Sequence, residues 1–106
     1  MKFIPLPTEC QRLEQLPNVC PSIAANLRLV GIQKPIDLKK QDAYSLYQTL
    51  CAVTGKRHDP CVIDVFISAI RYMQGQAPQS WWVFTDERKH KLQQKAYAYV
   101  GLADCH

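Results

Sequence analysis

The sequence predicts an all-α fold: about five helices in one small domain, followed by a C-terminal helical extension. Three observations carry this. Apolar residues recur at helical spacing along 43–53 and again along 62–73. At 20–21 and 59–60 a proline follows a residue suited to capping, which is how many helices open. Glycines stand at 31 and 55, where two of the helices should stop. A chain of 106 residues fits one domain that buries roughly two-thirds of its unfolded surface. Its content, 47% hydrophobic against 21% charged, is that of a globular chain and not a disordered one.

The elements follow in order. Residues 1–7 form an extended, proline-containing arm. Thr8 reads as an N-cap, with Gln11 completing a capping box, for a first helix that runs to about Leu16 and turns Leu13 and Leu16 inward. Pro17-Asn18-Val19-Cys20 breaks it. Cys20 precedes a proline, so it is pushed to an extended conformation and caps a second helix opened by Pro21. Ile23, Ala24, Leu27 and Val30 give that helix its inner face, Gly31 ends it, and Ile32 folds back onto it. Pro35-Ile36-Asp37-Leu38 is a short third helix or a single turn. Asp42 caps a fourth, with Ala43, Leu46, Tyr47, Leu50 and Val53 along one face and Gly55 at its end. Asp59 and Pro60 open a fifth helix to about Gln74. Apolar residues cover most of its circumference, which marks it as the central buried helix. Residues 75–80 are a loop and Trp81–Phe84 a short apolar segment. Thr85 or Asp86 caps a last helix to about Val100, acidic in its first turn and basic in the next, with Leu92, Ala96 and Tyr99 as a thin apolar face. The divisions are therefore an arm at 1–7, a helical domain at 8–84 and an extension at 85–106.

The net charge of +4 permits an anionic partner without demanding one. Five cysteines, an odd number at irregular spacing with no Cys-x-x-Cys, argue against a secreted disulfide framework. The proline-broken N-terminus is not a signal peptide, and no apolar run approaches the roughly 18 residues of a membrane span. The expected compartment is a reducing cytoplasm, with no membrane partner.

Leu16-Pro17-Asn18-Val19-Cys20-Pro21-Ser22-Ile23-Ala24 resembles the helix-hairpin-helix motif, whose usual form is Leu-Pro-Gly-Val-Gly and then an alanine in the second helix. Leu16, Pro17, Val19 and Ala24 match, and the element should span 16–32. Such a turn presents backbone N–H groups at a helix start to a DNA phosphate, so Asn18, Cys20 and Ser22 are the candidate contacts. Binding of this kind reads no base and weakens with salt. Both glycines are replaced. Asn18 can sustain a left-handed turn, whereas Cys20 places a side chain where the backbone should approach the phosphate.

The likeness extends through Leu27-Arg28-Leu29-Val30-Gly31-Ile32, Asp37-Leu38, Leu50-Cys51, Thr54-Gly55, Arg57-His58-Asp59-Pro60-Cys61, Asp64-Val65-Phe66, Trp81-Trp82 and Phe84-Thr85. Across Leu16 to Arg88 the chain resembles the small bacterial pathogenicity-locus family, also labelled mitomycin-resistance-like. Its first half is also similar to the C-terminal domain of TfoX-type competence regulators. The resemblance implies a helix-hairpin-helix fold and DNA association, and no established reaction.

Val19-Cys20-Pro21-Ser22-Ile23 and His58-Asp59-Pro60-Cys61-Val62 each put a proline at the start of a helix that follows another helix, which suggests two stacked hairpins. The second turn, Gly55-Lys56-Arg57-His58, keeps its glycine and sets two cations beside a helix N-terminus. Lys56, Arg57 and His58 are thus further phosphate candidates; the other reading is a solvated basic loop closed by a C-cap glycine.

Other chemistries are legible too. Cys61, near a helix start and His58, has the surroundings of an activated thiol or of a small packed residue. Cys51, His58 and Cys61, with Cys20, are possible metal ligands, although Cys-x6-His-x2-Cys is not a standard zinc spacing. Trp81 and Trp82 offer either core packing or a stacking platform, and as neighbours they should face different ways. Arg88-Lys89-His90-Lys91 is a basic surface or a solvated helix face. The sequence favours a non-enzymatic module that contacts DNA phosphates, without metal or cofactor. The alternative is a protein-interaction domain that kept the fold and lost the phosphate site. A thiol or metal enzyme built on Cys61 and His58 comes third.

Overall fold

The computed structural model describes residues 10–94. The arm at 1–7, the Thr8 cap and the stretch holding Ala96, Tyr99 and Val100 lie outside them. Four α-helices and three 3₁₀ turns make up the described chain, with no strand among these residues, so the fold is all-α.

The expected first helix is, in its described part, a single 3₁₀ turn, Leu13–Gln15. A glutamine caps this turn, Gln15: its Oε1 accepts the N–H groups of Gln11 and Arg12 at 2.7 and 2.8 Å. The reason is local. Leu16 precedes a proline and is extended (φ −75°, ψ 147°), leaving too few residues to offset helix nucleation. Leu13 and Leu16 are nevertheless buried, as their spacing predicts.

Helix α1 (Pro21–Leu29) opens as expected, with Cys20 extended (φ −85°, ψ 171°) and Pro21 first. Ala24 and Leu27 are buried. The helix ends in a Schellman arrangement: Gly31 takes φ 95°, its N–H bonds the Arg28 carbonyl, and Ile32 N–H bonds the Leu27 carbonyl at 3.0 Å. Arg28 pairs with Glu14 and ties α1 to the 3₁₀ turn before it. The guanidinium holds the Glu14 carboxyl down at about 2. Pro35–Leu38 is the second 3₁₀ turn, with Asp37 accepting from the N–H groups of Gln33 and Lys34.

Asp42 caps α2 (Ala43–Thr54) by accepting the Ser45 N–H at 2.9 Å. Ala43, Leu46, Tyr47 and Leu50 face inward. Val53 does not, and is 54% exposed: the buried stripe is rotated toward Tyr44, which puts Val53 beyond its edge. Gly55, at φ 70°, closes the helix.

Helix α3 (Cys61–Met73) is the central one, buried from Ile63 through Ile70 and at Tyr72 and Met73. Asp59 Oδ1 accepts the Cys61 N–H at 2.9 Å while Pro60 already has helical dihedrals, so the expected capping pair starts this helix. It packs against α2, the Pro35–Leu38 turn, the third 3₁₀ turn Trp81–Phe84, and α4 (Thr85–Gln94). Two polar residues lie inside α3. Ser68 bonds the Val65 carbonyl. Asp64, 0% exposed, accepts from Arg88 Nε at 3.0 Å, Arg88 Nη2 at 3.3 Å and Thr85 Oγ1 at 2.8 Å. The first turns of the extension are thereby fastened into the same core as the helices before it.

Candidate nucleic-acid interface

The turn before α1 is built on Asn18, at φ 66°. Short polar side chains tolerate this left-handed region better than most, and here the side chain is also tied down. Asn18 Nδ2 donates to Ser68 Oγ at 3.2 Å and to the Gln79 carbonyl at 2.6 Å. The amide therefore faces the protein. Asn18 shapes the turn and joins it to α3 and to the loop at 75–80.

Beyond it, Ala24 N–H bonds the Cys20 carbonyl and starts the helical ladder. Among the described residues the N–H groups of Ser22 and Ile23 have no backbone acceptor. Cys20 and Ser22 are exposed, with Sγ and Oγ 3.2 Å apart. The thiol pKa is lowered, first by the Ser22 hydroxyl and then by the Ile23 N–H. The sulfur thus lies beside the donors a phosphate would use.

The second turn differs in kind. Gly55 is left-handed, and Lys56 and Arg57 are exposed with no ion pair among the described residues. His58 turns toward α2: its Nε2 lies 2.9 Å from Thr54 Oγ1, and its carbonyl accepts the Tyr47 hydroxyl. Burial and then Lys56 lower its pKa. The start of α3 has spent its donors. Cys61 N–H goes to the Asp59 carboxylate, Val62 N–H to the Asp59 carbonyl and Ile63 N–H to the Pro60 carbonyl. This turn offers cations, and α1 offers backbone donors. No hydrogen bond or ion pair among the described residues joins the two turns. The loops also differ in length: residues 56–59 separate Gly55 from Pro60, whereas only Val19 and Cys20 separate Asn18 from Pro21.

The remaining candidates separate as follows. The Cys61 thiol is pushed up, by burial first and then by Asp59, opposite to the activation expected from a helix start and an imidazole. His58 serves Thr54 instead. Among the described residues no three His, Cys, Asp or Glu side chains are grouped to hold a metal, so Cys51, His58 and Cys61 form no ligand set. Trp81 packs against the core while Trp82 is 62% exposed, their rings edge to face at 5.8 Å. Arg88 leaves the expected basic surface for its buried bond to Asp64, and Lys91 lies over the Tyr44 ring. The buried role of Asp64 is not among the expectations drawn from the sequence. The signal was there: an acid on the inner face of a helix that is otherwise apolar nearly all round.

Fold and geometry together define a small all-α module organised around two helix-opening turns, one rich in backbone donors and one in cations. The chain belongs to the Cdd1 pathogenicity locus family, whose model matches residues 7–90. It is 34% identical over 89 residues to the mitomycin resistance protein McrB of Streptomyces lavendulae, an alignment covering 84% of this chain and 85% of that one. No solved structure matches it significantly. No helix among the described residues is long and apolar enough to cross a membrane.

Proposed function

We propose that this protein is a non-enzymatic, cytoplasmic helix-hairpin-helix module that binds the phosphate backbone of nucleic acid without reading sequence. One observation carries the reading: the Ser22 and Ile23 N–H groups have no backbone acceptor at the start of α1 and face only the Cys20 thiol, above a left-handed turn fixed from behind by Asn18. Helix N-termini of this kind favour anions through both their donors and their dipole. The Ser22 hydroxyl adds a donor, Lys56 and Arg57 add the charge that makes binding salt-sensitive, and the net charge has the matching sign. His58 supports the basic turn from within.

The decisive variant is Cys20→Asp. An aspartate N-cap accepts these donors far more strongly than the thiol and sets a negative charge where the phosphate would sit. Stability should rise, by about 0.5–1 kcal/mol, while affinity for DNA at low salt falls at least about tenfold. Lys56→Ala with Arg57→Ala should weaken binding to all sequences alike and reduce the salt slope by about two. Fluorescence anisotropy against salt, with urea denaturation beside it, measures both. Wild-type protein that binds no DNA at low salt, or a Cys20→Asp variant that binds undiminished, overturns the proposal. The first of those results is what a protein-interaction domain would give, a reading favoured by the Cys20 sulfur beside the donors.

A further inference from the structure

We infer that Trp82 is a stacking platform for an unpaired base, so that the preferred partner is single-stranded or locally opened nucleic acid and not intact duplex. This rests on the phosphate-binding reading and names its substrate class. The 3₁₀ turn Trp81–Phe84 sorts its side chains sharply. Phe84 is buried with the Arg71 guanidinium over its ring at 5.3 Å, and Trp81 packs on the core. Trp82 stands out in solvent, 62% exposed, with Val83 exposed beside it. The Trp82 backbone lies within a closed turn, where Val83 N–H bonds the Ser80 carbonyl and Thr85 N–H bonds the Trp82 carbonyl, and Trp81 meets its ring edge to face. A large uncovered aromatic on a closed turn is what a base needs, because stacking uses a flat π-face and asks nothing of sequence.

The occupant follows from what the platform is attached to. The Asn18 amide donates to the carbonyl of Gln79, and at most about 11 Å of chain leads from Gln79 to Trp82. This hydrogen bond therefore ties the loop that leads into the platform to the turn that presents the Ser22 and Ile23 donors. On the other side, Glu87 is neutralised by Arg71, and the exposed Asp86 is followed by the exposed Lys89, so the start of α4 carries both signs of charge. In an intact duplex the faces of the bases are covered by their neighbours, so the indole has nothing to stack on.

Titration of the full chain with a short oligothymidylate and with a duplex of mixed sequence tests this, read by anisotropy and by tryptophan fluorescence. The wild type should bind the single strand more tightly, with quenched emission. Trp82→Ala should weaken single-strand binding about tenfold or more while leaving duplex affinity and the salt slope unchanged. Trp82→Phe should recover part of the loss and none of the quenching. Circular dichroism verifies that these surface variants remain folded. Equal affinity for strand and duplex, or a Trp82→Ala variant with an unaltered ratio between them, overturns the platform and leaves the phosphate reading standing. Absence of binding to either probe overturns both. A Trp82→Ala variant that changes only the sedimentation of the protein assigns the surface to a protein contact, and the inference falls.

Discussion

At the residue scale, the main finding is a change of role for Asn18. In the sequence it stands where a glycine is usual, and its ability to take a left-handed turn is readable from its type alone. Its two long-range hydrogen bonds, to Ser68 and to the Gln79 carbonyl, are not, because those partners are far away along the chain. The position therefore asks for two things at once. Asn18→Gly keeps the backbone and loses the bonds, and should cost about 1 kcal/mol. Asn18→Ala loses both, and should cost about 2–3 kcal/mol. Urea denaturation of the two variants measures the difference, and equal losses would show that the amide alone matters. Cys20 and Cys61 show the same limit on reading single residues. Both stand at a proline-opened helix, yet the thiol pKa falls at Cys20, where a hydroxyl and an N–H face it, and rises at Cys61, where burial and Asp59 dominate.

At the element scale, helix boundaries followed local chemistry closely. Pro21, Gly31, Asp42, Gly55 and the Asp59–Pro60 pair all act where their types suggest, since each solves a problem confined to a few neighbouring residues: an orphaned N–H, a missing donor, a positive φ. The first helix was overestimated, because Pro17 constrains Leu16 as well as itself. The difference between the two helix starts was also hidden. A proline following a potential cap looks alike in both, but Asp59 consumes the donors of α3 and the Cys20 thiol leaves those of α1 largely unused. Asp59→Ala should therefore destabilise the fold by about 1 kcal/mol and, by removing a carboxylate beside Lys56 and Arg57, tighten DNA binding severalfold with a steeper salt dependence. Denaturation and anisotropy together check the opposite signs. Loss of affinity in this variant would show that Asp59 holds the basic turn in its binding shape.

At the scale of the whole molecule, the buried Asp64–Arg88 pair closes the core. Arg88→Met strands a carboxylate that is fully inside, and should cost about 3–5 kcal/mol, whereas Asp64→Leu with Arg88→Met should recover much of it. Unfolding followed by far-ultraviolet circular dichroism and by tryptophan emission should remain coincident in the wild type, because the Trp81–Phe84 turn and α4 share the core of α3. The sequence by itself determined the all-α class, most of the helix limits, the central place of α3 and the opposed facing of Trp81 and Trp82, because these depend on periodicity and on short-range capping. Only the tertiary structure decided that Arg88 is a core residue and not part of a basic face, that Asn18 faces inward, and that His58 bonds Thr54 while burial and Asp59 raise the Cys61 thiol. Those outcomes depend on which distant group each side chain meets, and a buried charge or amide settles where a partner compensates its lost water.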